Sequence, residues 1–408
     1  MIVLGGKRTM RHRQLHSHYL NFVNLGILLA CWFCTVPVLA QDAAVQEELP
    51  TSIMTDKQWQ DVDQAVERAI VWLASQQKPD GSFPSNQYGQ PGATGLCVMA
   101  FLSQGHLPGE GKYGDQLARS LDYIISCQKR SGILSAKAPN TKRISRAIEH
   151  QIGFTSVYNH AISALVLSEC YAMAGPEQNE KIEPVIEKAL EATCQLHDFR
   201  KFNKSDEGGW RYMHTRSDVD ADLSITGWQL MFLRSAKNAG FDVEKSRIDR
   251  AVKYVRRCFL KDRGTFAYKA GAIYRDRVSR GVAGSGILAL AHSGLHNTPE
   301  AKRAGDWVLM SGFETHNEIG KVKDIYASGD RYYYGLLTCS PAMYQLGGRY
   351  WREFFPPTAR VLLDNQKADG SWHHEEIHGD GKYGNAYTTA IGIIALTPTN
   401  QLLPIFQR

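Results

Sequence analysis

The residues best suited to chemistry lie mid-chain, where Gly208-Gly209-Trp210-Arg211-Tyr212 leads on to Asp218-Val219-Asp220-Ala221-Asp222. Three carboxylates at alternate positions gather like charge. Such groups raise one another's pKa, so that one of them can hold a proton to donate. Two plainer uses compete. An Asp before a helix accepts from its free N–H groups and complements its dipole. Asp222, ahead of the apolar run from Leu223, could do this alone. The Asp-x-Asp-x-Asp spacing also copies the first ligands of an EF-hand loop. Leu223 stands where that loop needs Gly, and Gln229 where it needs Glu, which excludes the loop and leaves only an irregular cation site.

Other polar candidates are single residues. His160, in Tyr158-Asn159-His160, could orient or reprotonate an acid, or could be structural. His373-His374-Glu375-Glu376-Ile377-His378 follows Trp372 in a loop. It is therefore not a helical H-E-x-x-H zinc site, and a solvated polar loop is the simpler reading. No metal or other cofactor is expected. The six cysteines from Cys97 onward are widely spaced within helical patterns and read as free, buried side chains.

The elements that must position these residues recur. Arg68 to Gln77 has apolar residues at helical spacing, and Pro79 and Gly81 stop it. Ala93 to Leu102 then makes a second helix, apolar nearly all round and so buried on most sides. The pair returns as Arg119–Gln128 with Ala161–Leu167, Ile186–Cys194 with Ile225–Leu233, and Ile248–Cys258 with Gly284–Leu290. Two more pairs are Ala301–Met310 with Gly335–Tyr344 and Thr358–Gln366 with Thr388–Leu396. From Gly81 to Gly370 the spacing averages about 58 residues per unit. Apolar helices inside and amphipathic ones outside bury both layers. The fold class is therefore all-α: an α/α toroid of six helical hairpins, which needs no end-caps if it closes; an open solenoid is the alternative.

Gln77-x3-Gly81-x-Phe83 and Gln366-x3-Gly370-x-Trp372 resemble the QW motif of squalene and oxidosqualene cyclases, and the related repeat of prenyltransferase β subunits. Gln128-x3-Gly132-x-Leu134 is a weaker copy, and the likeness runs from about residue 60 to 397. It implies a terpenoid cyclase-like toroid whose inner-helix starts surround a central ligand cavity. In class II terpene cyclases a glycine-aromatic turn leads to a D-x-D-D motif whose middle Asp protonates an alkene. By that resemblance Asp220 is the acid, with Asp218 ahead of it; His160 could serve such an acid from across the cavity. Ala221 replaces the expected Asp, and Asp222 comes one place later. Aromatic faces for a carbocation or an apolar ligand would be Tyr158, Trp210, Trp228, Tyr333, Trp372 and Tyr387. The tyrosines could equally pack the inner ring with their hydroxyls at the wet rim. Complete triterpene cyclases resemble two such barrels, and this chain has room for one. The Asp-x-Cys pair of the prenyltransferase zinc site is missing, so protein prenylation is disfavoured.

The remaining expectations concern placement. Lys7, Arg8, Arg11 and Arg13 precede an apolar run from Leu20 to Ala40 that ends Val38-Leu39-Ala40. That is the pattern of a signal peptide (residues 1–40), cleaved after Ala40, with a linker over 41–55 and the toroid over 56–408. A membrane anchor over 20–40 and lipidation at Cys31 are the rivals. Outside residues 1–40, 43 basic residues face 41 acidic ones, so no surface built for nucleic acid is indicated. The expectation is a secreted or periplasmic toroid that binds, or acts by general-acid chemistry on, an isoprenoid or other apolar molecule. A noncatalytic binding or scaffold toroid for a glycan, lipid or protein is the alternative, and any membrane association runs through the N-terminal segment.

Overall fold

The computed structural model describes residues 50–408 except 172, 214–219, 272–274, 324 and 376, and only the backbone of 377–379. The expected signal segment, Cys31 and Asp218 lie outside the described residues.

Six helical hairpins form two concentric layers. The outer helices are α1 (Asp56–Ser75), α3 (Gly114–Ser126), α5 (Pro176–His197), α7 (Lys245–Arg257), α9 (Pro299–Ser311) and α11 (Gly348–Asp364). The inner ones are α2 (Gly92–Leu102), α4 (His150–Tyr171), α6 (Leu223–Asn238), α8 (Arg280–Ala291), α10 (Tyr332–Leu346) and α12 (Gly384–Leu396). Composition dictates the layering. Every residue of α2 is buried, whereas α7 buries only Ala251, Tyr254 and Val255. A helix apolar all round must be covered on all sides, and one with a single apolar stripe needs one partner layer.

The inner helices pack in chain order from α2 to α12, and α12 packs back against α2. Outer α1 sits against both α2 and α12. The array is therefore a closed toroid, not an open solenoid.

Turns with a shared geometry lock neighbouring hairpins. Gly81 has φ +86°, and a Cβ there would lie 2.2 Å from Arg119 O on α3. Only glycine fits such a φ and approach without strain. Gly370, at φ +92°, meets Arg68 O of α1 in the same way, at 2.5 Å. Gly132 and Gly208 repeat the contact on α5 and α7. The glutamines supply the bond. Gln77 Nε2 donates to Gln116 O at 2.7 Å, Gln128 Nε2 to Val185 O at 2.8 Å and Gln366 Nε2 to Ala65 O at 2.8 Å. Each thus ties one hairpin to the outer helix of the next, and Gln366 closes the ring onto α1. The same glutamine side chains also donate to their own turn glycines, as Gln366 does to Gly370 O at 2.9 Å. In the third hairpin no Gln stands four residues before Gly208, and His197 Nε2 makes this second bond, to Gly208 O at 3.1 Å.

The fourth hairpin's turn is a short antiparallel pair, β1 (Phe259–Leu260) and β2 (Thr265–Phe266). All six described cysteines are free. No helix among the described residues is long and apolar enough to cross a membrane. Pro50 and Arg408 line one small cleft beside Trp351, whose Nε1 donates to Pro50 O at 3.0 Å.

Candidate functional site

A cavity of about 590 Å³ opens where the N-terminal halves of the inner helices converge. Tyr158 and Asn159 reach it from α4, Trp228 from α6, Tyr334 from α10 and Tyr387 from α12. Loops add Arg211, Tyr212, Tyr268, Arg277, Tyr326 and Tyr383. The helices supply the position. On the axial face of each inner helix, side chains in the first few turns lean toward the N-terminal rim, and those are the ones that line the cavity.

Tyrosines dominate the wall. Phe154 packs against Tyr212 at 4.5 Å between ring centres, and Tyr383 against Tyr387 at 5.3 Å. Arg211 lies over the Tyr212 ring, 3.8 Å from its centre, and donates to Tyr268 Oη at 3.1 Å. Tyr268 and Tyr212 share a short hydroxyl–hydroxyl contact. Burial holds these phenols neutral. It raises Tyr158, Tyr212 and Tyr387 well above the ordinary value and pushes Tyr268 up to about 12, with the Arg211 charge opposing it there. The wall therefore offers ring faces and hydroxyls, not phenolate bases.

The carboxylates are engaged elsewhere. Asp222 caps α6 by accepting from Ile225 N at 2.9 Å, and its other oxygen pairs with Arg211 Nη1 at 2.5 Å. Asp220, fully buried, accepts from Arg146 Nη2 at 2.6 Å and from Phe202 N at 3.0 Å. Lys201 donates to the Asp220 carbonyl at 3.1 Å. Burial, with Asp220 opposing, lowers the Lys201 pKa to about 8. Neither Asp220 nor Asp222 lines the cavity; the described carboxylate that does is Asp380, 3.4 Å from Arg331. Each oxygen of Asp220 already accepts a hydrogen bond, and neither lines the cavity.

The other sequence candidates divide. Tyr158, Trp228 and Tyr387 line the cavity, whereas His160, Trp210, Tyr333 and Trp372 stand behind its wall. Leu134 N donates to His160 Nδ1 at 3.3 Å, so Nε2 carries the proton and meets Thr193 Oγ1 at 3.0 Å. Burial lowers the His160 pKa to about 3. Trp210 donates from Nε1 to Thr193 O at 2.9 Å, and Trp372 to Leu362 O at 2.8 Å. Tyr333 pairs through its hydroxyl with His316 at 2.8 Å. Each is an inner-ring strut with its polar atom satisfied.

The histidine-rich loop holds one departure from a solvated polar segment. Glu375 is buried and caps α10, accepting from Tyr332 N at 2.6 Å. Burial pushes its pKa up to about 7, against the helix N–H groups. No group of three metal-ligating side chains comes together among the described residues.

Arg211, Tyr212 and Tyr268 are among the wall residues that sequence reasoning missed. The first two follow Trp210 directly and were visible as neighbours of a turn. Tyr268 follows β2 with no pattern to mark it.

No known family model matches the chain, and neither does any curated protein sequence. Solved structures do match. The α-1,6-mannanase GH76A of Salegentibacter sp. HEL1_6, in complex with α-1,6-mannotriose, superposes with a TM-score of 0.56 at 12% identity, over 84% of this chain and 99% of that one. A glycosidase gives 0.54 at 11% identity, over 86% and 100%. The type II terpene cyclase MstE from Scytonema, in complex with its substrate geranylgeranyl dihydroxybenzoate, gives 0.51 at 12% identity, over 86% and 100%. At these identities the likeness is one of fold. The chain is an α/α toroid of the architecture that glycosidases and terpene cyclases share.

Proposed function

We propose that the central cavity binds a saccharide, and that Asp220 and Asp222 are structural. The observation that carries this reading is the lining. Tyrosine faces alternate with hydrogen-bonding groups: Asn159, Ser224, Lys269, Arg277 and the phenol hydroxyls. A sugar ring presents C–H faces to aromatics and hydroxyls to such donors and acceptors. An isoprenoid could use the ring faces but has nothing to offer the hydrogen-bonding groups set between them. The fold does not choose, since it serves a mannanase holding mannotriose and a cyclase holding a geranylgeranyl compound. General-acid chemistry on an isoprenoid is the second reading, favoured by the density of aromatic faces. It requires a proton donor at the wall, and Asp380 is the carboxyl group there among the described residues.

Under the saccharide reading Tyr158, Trp228 and Tyr387 touch ligand, while His160, Trp210, Tyr333 and Trp372 support the wall. The basic, apolar and small-residue order of residues 1–40 supports export of the toroid.

Calorimetric titration with a panel of linear neutral oligosaccharides, and with geranylgeraniol, tests this. We expect saccharide binding that Tyr158→Ala weakens at least tenfold. Binding of geranylgeraniol with no saccharide response would overturn the reading in favour of the isoprenoid.

A further inference from the structure

A second concavity lies at the opposite end of three of the same inner helices. Ser224 and Trp228 of α6 line the central cavity, whereas Arg234 and Lys237, two to three turns later, line the other. Its volume is about 1180 Å³. The C-terminal ends of α6, α8 and α10 form the floor, with Leu230, His292 and Leu346 among its residues. One face of α7 forms a wall.

The charge is one-sided. Arg234 and Lys237 from α6 and Lys245, Lys253 and Arg256 from α7 face a single lining carboxylate, Asp249. Asp249 pairs with Lys245 at 2.7 Å, and Arg256 lies 3.6 Å from Glu300. Arg234, Lys237 and Lys253 have no ion-pair partner among the described residues. Burial and the Arg234 charge lower the His292 pKa to about 4, so the floor adds no further charge near neutrality. A cation near a helix C-terminus complements the dipole. That accounts for Lys237 and Arg256, which stand in last turns. It does not account for Lys245 and Lys253, which start and continue a row along α7. From Lys245 to Arg256 the row spans roughly 16 Å at the helical rise.

We propose that this groove binds a segment of linear acidic polysaccharide, its carboxylate or sulfate groups meeting the α6 and α7 cations. A row of separated cations along a recessed channel matches charges that repeat along a chain. Nucleic acid fits less well. The lining contains no tyrosine, tryptophan or phenylalanine on which bases could stack, and the surface is recessed where a duplex groove needs a protruding element. The inference stands without the reading of the central cavity, because it uses different residues at the other rim.

The test titrates the full-length protein at low salt with polygalacturonate, dextran sulfate, neutral dextran and a single-stranded oligothymidylate. We expect one or both acidic polysaccharides to bind, neutral dextran not to bind, and affinity to fall steeply with added salt. The two acidic arms distinguish carboxylate from sulfate. The triple variant R234E/K237E/K253E changes exposed residues only, so its melting temperature should stay within a few degrees, and its affinity should fall at least tenfold. A second variant, K137E/K142E/R143E, places the same charge change in the loop between α3 and α4 and should bind as the parent does. Three outcomes each overturn the proposal: no acidic polysaccharide binds, the two variants lose affinity equally, or the oligothymidylate binds more tightly than either polysaccharide.

Discussion

Asp220 shows how one residue type can suit two chemistries and be used for one. A general acid needs an oxygen that carries a proton and faces substrate. Asp220 instead accepts from Arg146 and Phe202 N, away from the cavity. Asp220→Asn removes the charge and leaves Arg146 beside a neutral amide. We expect a loss of about 2–4 kcal/mol in denaturant unfolding, below the roughly 3–5 kcal/mol of a fully buried pair because the Arg146 side chain is 15% exposed. Unchanged stability would return Asp220 to the list of candidate acids. Glu375 permits a test with a definite sign. Its folded pKa of about 7 exceeds the unfolded carboxyl value, so the folded state holds the proton over the interval between them. Stability contributed by the protonated form is therefore lost as pH rises from about 4.5 to 7. Glu375→Gln cannot ionise. Relative to the parent it should gain about 3 kcal/mol across that interval, read from unfolding curves at several pH values. A pH-independent difference would mean that the carboxyl group is not perturbed by burial.

At the scale of elements the sequence was most readable. Helix periodicity marked all six hairpins, with a Gly-aromatic turn in four of them, because a buried helix and an amphipathic one leave different apolar patterns. The Gln-x3-Gly spacing was legible as a motif, but its physical role was not. The glutamine donates across to the next hairpin, a partner that no local pattern reveals. His197 was unreadable too, since it shares with those glutamines only the bond to the turn glycine of its own hairpin, at Gly208 O. The candidate site was half legible. Tyr158, Trp228 and Tyr387 were marked by standing at inner-helix starts. Trp210 and Trp372 stand in equally conspicuous turns, yet their indoles fill the hairpins behind the wall. Gly370→Ala tests the turn itself. A methyl group would meet the Arg68 carbonyl and force a positive φ on a residue with a Cβ, and we expect a loss of about 2–4 kcal/mol by thermal unfolding. A loss below 0.5 kcal/mol would mean that the α1 backbone yields freely at this point.

For the whole molecule, the two concavities separate by axis and by chemistry. One rim presents tyrosine faces with interleaved donors, the other a row of lysines and arginines. Inner helices α6, α8 and α10 contribute to both, so each site is built on the other's scaffold. The junction of α12 with α1 uses the same glycine contact and the same glutamine bond as the junctions inside the chain. These contacts make the order of the hairpins cyclic. A backbone cut at the exposed Gly109-Glu110-Gly111 turn spares every turn-to-helix contact, so the two pieces, residues 1–110 and 111–408, should reassociate through them. What specifies this fold is the cyclic order of its hairpins, and the linear order in which the ribosome delivers them is one of several equivalent readings of that circle.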